Sequence, residues 1–247
     1  MTKRIFDIIA SAAGLLVFSP VILTFMFLVW RQDRHSPFYM GERVGKDEKP
    51  FKMLKLRSMV KNADKSGVDS TGANDMRITR VGHMIRKYKL DEVTQLWNVL
   101  KGDMSLVGPR PNVKRETDLY TREEKKLLTV RPGITDIASI VFSDEGDILK
   151  DKADPDLAYN QLIRPAKSRL GILYVENTNI VLDIRLIILT IIAILDRKSA
   201  LKGVQQILSE LGAPNDLREI SKREAPLQPA PPPGAETIVT SRDQKAA

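Results

Sequence analysis

From Ile8 to Trp30 the chain carries no charged residue, a run of 23 positions in a sequence of 247. About 20 apolar residues are enough to cross a bilayer as a helix. The run is too long for the apolar part of a signal peptide, and no small-residue cleavage pattern closes it. It is expected to stay on the mature protein. Near its middle lies Ser19-Pro20. Proline has no N–H and its ring crowds the carbonyl of Leu16, so a helix should bend sharply or break there. Each half alone is too short to span. Lys3 and Arg4 precede the run and Arg31 and Arg34 follow it, which draws both ends to the cytoplasmic side. These residues leave two readings open: a re-entrant helical hairpin, or one spanning helix kinked at proline.

The remainder is long enough for one good-sized domain with attachments, and a hydrophobic content of 43% is ordinary for a globular core. Lys and Arg outnumber Asp and Glu by 39 to 31, a net charge of +8. Acidic partners follow from this: nucleic acid, anionic lipid or phosphorylated substrates. The absence of cysteine excludes disulfides and thiolate metal sites, and two histidines argue against zinc.

Residues 37–57 read as a small β-hairpin, with "SPFYM" and "FKMLKLR" as strands and "GKDEKP" as the turn. Residues 61–77 are polar and rich in Gly, Ser, Asn and Asp. They read as a loop, either gating a substrate or plain surface. Leu90, Val93, Leu96, Trp97 and Leu100 recur at helical spacing, with Asp91, Gln95 and Asn98 on the opposite, polar face. A charged amphipathic helix is expected over 113–129. Asp154 caps another, with Pro155 in its first position. Residues 180–195 are very apolar but contain Asp183 and Arg185. They point to an interfacial helix, with a buried core helix as the alternative. A further amphipathic helix runs over 199–220, with Ser199 as its cap and Gly212 as its stop. Beyond Ser221 the five prolines and the lack of periodicity predict a disordered tail.

Two adjacent carboxylates, Asp91 and Glu92, stand just after Arg86, Lys87 and Lys89. Neighbouring helical residues diverge by about 100°, so the two acids cannot share one proton. They can take separate roles, one facing a reacting atom and the other a cation. Arg110 lies between Pro109 and Pro111 in "VGPRP". A residue before proline is held extended, which suits bidentate phosphate binding. Lys55, Arg57 and Arg86 add cations, and Arg131 sits in a second stiff turn, "RPG". There is no GxxxxGK[ST], GxGxxG or GxSxG. "DPD" at 154–156 is more simply a cap with proline than a metal motif.

Four segments in this order, "KRIFDIIASAAGLLVFSP", "ERVGKDEKPFKMLKLRSM", "KLDEVTQLWNVLKGDMSLVGPRP" and "VRPGIT", resemble the bacterial sugar transferase family. These are the monotopic polyprenyl-phosphate phosphoglycosyl transferases. The resemblance runs from Lys3 to about Leu195 and is to the minimal form, without the multi-helix N-terminal domain of larger members. It implies transfer of a sugar-1-phosphate from a UDP-sugar to a polyprenyl phosphate, usually undecaprenyl phosphate, with release of UMP. It implies that Asp91 is the nucleophile of a covalent phosphosugar intermediate and that Glu92 helps hold Mg²⁺. It also implies that the N-terminal segment is re-entrant and broken at Ser19-Pro20.

The expected fold is therefore α+β and mainly helical. A re-entrant membrane segment over 1–35 would precede a catalytic domain over 36–198, with a small β-hairpin and interfacial amphipathic helices around the active site. A C-terminal helix over 199–220 and a tail over 221–247 would follow. Lys55, Arg57, Arg86, Arg110 and Arg131 are the expected substrate-binding cations. The bacterial inner membrane is the expected location, with the catalytic domain on its cytoplasmic face. Downstream glycosyltransferases are conceivable partners, and nucleic acid is not expected. Thr94 stands where many members have proline, and "DIAS" follows "PGIT" where many have "GWAQ", which bears on the sugar. Two alternatives are a glycosyltransferase releasing UDP and a basic membrane-anchored binding module without catalysis.

Overall fold

The computed structural model describes residues 2–63, 75–241 and 244. The loop expected over 61–77 lies mostly outside them. The described chain is mainly helical. Helix α1 (Thr2–Asp33) leads into an antiparallel hairpin of β1 (Phe38–Val44) and β2 (Pro50–Leu56), with Phe38 opposite Leu56 and Val44 opposite Pro50. Short helices α2 (Arg80–Lys87), α3 (Leu90–Val93) and α4 (Leu96–Lys101) come next. Strand β3 (Ser105–Val107) follows, then α5 (Lys114–Thr117) and β4 (Gly133–Thr135), and β3 pairs with β4 in parallel. Helices α6 (Ile137–Val141), α7 (Glu145–Ile148) and α8 (Pro155–Ala158) precede the longer α9 (Arg164–Glu176), α10 (Ile180–Leu195), α11 (Arg197–Glu210) and α12 (Asn215–Lys222).

The expected interruption at Ser19-Pro20 does not divide α1, which is one helix with Pro20 inside it. The serine accounts for this. Its Oγ donates to the Leu16 carbonyl at 2.7 Å, supplying the hydrogen that the proline ring cannot. By length and composition α1 could cross a membrane. Yet it touches the rest of the protein along one stripe. Asp7, Ser11 and Val29 are buried, and Phe25 and Met26 pack with Leu56 and Ile85. The other side of α1 exposes Ile8, Ile9, Leu16, Val17, Leu23 and Phe27.

The main core joins α6, α9, α10 and α11 around Ile140, Leu170, Tyr174, Leu186, Val204 and Leu208. Helix α11 thus packs into the main core. Its cap is Asp196, whose carboxylate accepts from the Ser199 amide, and not Ser199 itself. The expected helix over 113–129 is only the single turn α5 and a 3-10 stretch, Glu124–Thr129. Helix α10 divides its faces. Leu182, Asp183 and Leu186 are buried, while Val181, Ile184, Ile188, Ile191 and Leu195 are exposed at helical spacing.

The Pro-rich tail, expected to be disordered, lies against the body. Ala230 donates its amide to the Gln161 carbonyl at 3.1 Å, and Thr121 Oγ1 donates to the Pro233 carbonyl. Gln161 Nε2 donates to the Val239 carbonyl at 2.8 Å, and Val239 is buried. Proline already restricts the unfolded chain, so fixing such a segment costs less entropy than composition alone suggests.

Candidate active site

Strand β2 and helices α3 and α4 form the floor on which the acid pair stands. Of the polar face read from the spacing, Gln95 and Asn98 are buried there, while Asp91 is half-buried. Asn98 accepts from the Leu54 amide at 2.9 Å and donates to the Lys52 carbonyl at 2.8 Å. Thr94 Oγ1 reaches the Leu54 carbonyl at 3.3 Å and the Asp91 carbonyl at 2.9 Å. These side chains take the place of a third strand on the free edge of β2. Trp97, expected on the apolar face, is instead half exposed. The tie sets Lys55, on β2, opposite Asp91, on α3, with Nζ 3.7 Å from the carboxylate. Before Asp91, Lys89 adopts a left-handed conformation (φ 52°) that turns the chain from α2 into α3.

The "GPRP" turn is fixed from both sides. Gly108 donates to the Thr135 carbonyl at 2.9 Å, and Gly133 donates to the Pro109 carbonyl at 3.0 Å. The two glycines are in backbone contact: a Cβ on Gly133 would lie 2.1 Å from the Gly108 nitrogen. Beyond the turn, Val44 of β1 donates to the Asn112 carbonyl at 2.9 Å. Arg110 is thereby aimed at Glu92, with Nη1 2.9 Å from its carboxylate.

These groups line an open cleft of about 930 Å³ that also contains Arg43, Arg86, Lys89, Glu145, Tyr159 and Lys167. Of the predicted site residues, the cleft gathers Asp91, Glu92, Lys55, Arg86, Arg110 and Arg57. Arg57, however, is committed elsewhere: its guanidinium forms a bidentate pair with Asp33 at 2.5 and 2.7 Å, and Nε donates to the Ser36 carbonyl. It pins the end of α1 to β2. Arg131 does not line the cleft. Its Nε donates to the Gly102 carbonyl at 2.8 Å, so the "RPG" turn serves the backbone. Ser19 and Pro20 lie in α1, away from the cleft lining. Residue-type reasoning missed Glu145 and Lys167, which no local motif marks. Ala138 and Ser139, from the "DIAS" stretch, also line the cleft.

The electrostatics follow from crowding acids among cations. Burial alone would push the Glu92 carboxyl up, but Arg110, Lys89 and Lys55 outweigh it and hold the group below the usual range. Burial lowers Lys55 against the pull of Asp91, and burial likewise lowers Arg86. Arg110 is held firmly protonated, chiefly by the charge of Glu92. The site thus sets an ionised Glu92 inside a ring of cations, an environment that accepts a polyanion.

The donors available for a metal are hard oxygens, Asp91 and Glu92. Among the described residues no three His, Cys, Asp or Glu side chains converge. Such a set does not suit an all-protein metal cage. It does suit Mg²⁺, which is commonly held by one or two carboxylates together with substrate phosphates.

The sequence model for bacterial sugar transferases matches residues 1–197. The chain belongs to the bacterial sugar transferase family. Among curated members of the family, an uncharacterized sugar transferase of Bacillus subtilis is 36% identical over 83% of this chain and 90% of its own length. A UDP-N-acetylgalactosamine-undecaprenyl-phosphate N-acetylgalactosaminephosphotransferase of Aeromonas hydrophila is 38% identical, over 64% of this chain and 38% of its own. A Klebsiella pneumoniae UDP-glucose:undecaprenyl-phosphate glucose-1-phosphate transferase is 34% identical, over 80% of this chain and 41% of its own. The chain therefore spans well under half the length of some of the sugar transferases it matches.

Proposed function

We propose that this sugar transferase moves a sugar-1-phosphate from a UDP-sugar to a polyprenyl phosphate and releases UMP. The observation that carries the reading is the adjacent pair Asp91–Glu92, with Lys55 and Arg110 each facing one of its carboxylates in an open cleft. In the first step a carboxylate oxygen of Asp91 attacks the phosphorus that bears the sugar. The bond from that phosphorus to the bridging oxygen breaks, and UMP departs with the electron pair. In the second step an oxygen of the polyprenyl phosphate attacks the same phosphorus. The acyl-phosphate bond breaks and the Asp91 carboxylate is restored. Lys55 and Arg110 stabilise charge on the phosphoryl oxygens, and the fixed turn keeps Arg110 from reorganising as that charge develops. Glu92 would hold Mg²⁺ with the substrate phosphates, where the ion offsets charge on the leaving UMP.

The site would work at the cytoplasmic face of the bacterial inner membrane, with α1 and the exposed face of α10 in the lipid. This accounts for apolar side chains that a soluble surface would not display so densely. The product would open a surface-polysaccharide assembly line. The relatives' names differ in the sugar, so the donor is left as a UDP-sugar.

The test is UMP release from a panel of UDP-sugars with polyprenyl phosphate and Mg²⁺. Asp91→Asn is expected to abolish both turnover and covalent labelling by the donor. UDP as the released nucleotide, or near-normal turnover by a pure Asn variant, would overturn the mechanism.

A further inference from the structure

The acid pair and its cations account for part of the cleft. The wall built by α6, α7 and α9 carries polar groups that phosphoryl transfer does not use. Lys167 Nζ donates to Glu145 Oε2 at 2.7 Å and lies 5.0 Å from the centre of the Tyr159 ring. Ser139 lines the cleft beside them. The pair is shielded but open to a ligand, with side chains 14% exposed for Lys167 and 36% for Glu145.

This wall is chemically unlike the phosphate end. Here one carboxylate and one ammonium offset each other without the surplus of cations that surrounds Asp91 and Glu92, and such a carboxylate accepts hydrogen bonds from hydroxyls. An ammonium beside it donates to them. Each member of the pair orients the other and keeps hydrogen-bonding capacity for a ligand. Burial would lower Lys167, but the charge of Glu145 outweighs it and keeps the amine protonated. Burial would raise Glu145, but Lys167, then Arg110 and Lys55, hold it ionised. Tyr159 stays a neutral phenol, pushed by burial to about 12. Charged acceptor, charged donor and neutral hydroxyls in one place are a set for reading a polyol.

The donor offers two polyols, its sugar and its ribose. The sugar's anomeric oxygen is bonded directly to the phosphorus that Asp91 would attack, while a second phosphate separates the ribose from it. The wall lines the same cleft as Asp91, Lys55 and Arg110, and so belongs beside the sugar. We propose that Glu145 and Lys167 read the hydroxyl pattern of the donor sugar and set the enzyme's choice among UDP-sugars. The inference rests on the reaction proposed above and adds the place where its specificity resides.

UDP-glucose and UDP-galactose, which differ only in configuration at C4, are the probes, alongside UDP-N-acetylgalactosamine. Glu145→Gln and the double variant Glu145→Gln/Lys167→Met are compared with wild type for kcat/KM on each donor and for inhibition by UMP. The double variant removes both charges and so leaves none buried without its partner. A selectivity ratio between donors that changes by about tenfold or more, with UMP inhibition unchanged, is the expected result. Weaker UMP inhibition with donor selectivity intact would move the wall to the ribose and overturn the assignment. Unchanged selectivity and unchanged UMP inhibition would reduce the pair to a structural contact and overturn it as well. If wild type releases UMP from no donor, the underlying reaction fails first and carries this inference with it.

Discussion

Lys55 is a half-buried amine whose nearest compensating charge is the carboxylate of Asp91 at 3.7 Å. Burial lowers its pKa from the ordinary 10.5. The charged form is the protonated one, so the cation is present at low pH and is lost as pH rises through the lowered value. In the free enzyme kcat/KM should therefore decline on the alkaline side earlier than an exposed lysine would dictate. Lys55→Arg should keep part of the activity and shift that decline upward, because a guanidinium does not titrate in this range. Identical alkaline limbs in the two proteins would take Lys55 out of phosphate binding. At this scale the sequence put Asp91, Glu92 and Arg110 forward through local patterns, an acid pair and a proline-flanked arginine, and the fold brings them into one cleft. Arg57 and Arg131 look the same as Arg110 in one dimension. Only the fold shows that Asp33 and the Gly102 carbonyl already occupy them. Glu145 and Lys167 come from distant elements, and no spacing rule could have joined them.

The β-hairpin and the Asp154 cap followed from turn chemistry and alternation, and helical spacing from Leu90 to Leu100 foretold α3 and α4 but not which of their faces is buried. Helical spacing assigns polar residues to solvent, whereas Asn98 is buried because it completes a strand edge. That choice is energetic: an amide and a carbonyl on the open edge of β2 would otherwise be buried without partners. Strands β3 and β4, three residues each, are too short to give any alternation signal. Asn98→Ala would strip the Leu54 amide and the Lys52 carbonyl of their partners. A loss of about 2–4 kcal/mol is expected from two buried groups left unsatisfied, read as a lower midpoint of denaturant unfolding in detergent. Lys55 should drift from Asp91 at the same time, so kcat should fall in the fraction that stays folded. A midpoint and kcat equal to wild type would mean that the hairpin edge needs no tie.

At the scale of the whole molecule, α1 sets the relation to the membrane. A straight helix of 32 residues would be about 48 Å long, more than the roughly 30 Å hydrocarbon core requires. Length therefore permits crossing, and the attachments argue against it. At the start of α1, Lys3 Nζ donates to the Val107 carbonyl at 3.1 Å and pairs with buried Asp183, which also accepts from Tyr174 at 2.7 Å. Arg4 donates to the Val99 and Leu100 carbonyls, and Asp7 accepts from Ser105 Oγ and the Leu106 amide. At the far end Asp33 holds Arg57, and Gln32 accepts from the Val81 amide. A helix tied at both ends to one body cannot place those ends across a bilayer without breaking one set of ties. Breaking the first set would strand the Asp183 carboxylate, which is buried and would lose its cation. Its exposed apolar side chains still call for lipid, since burying each is worth about 1.5–3 kcal/mol. Under the membrane placement proposed above, α1 would enter one leaflet from the side where the body sits, which would satisfy both demands. The chain has no cysteine, so Thr2→Cys and Arg34→Cys each give a single reporter. In intact spheroplasts both are expected to be protected from an impermeant maleimide, and both should react after lysis. Labelling at position 2 with protection at position 34 would place the ends on opposite sides and make α1 a spanning helix.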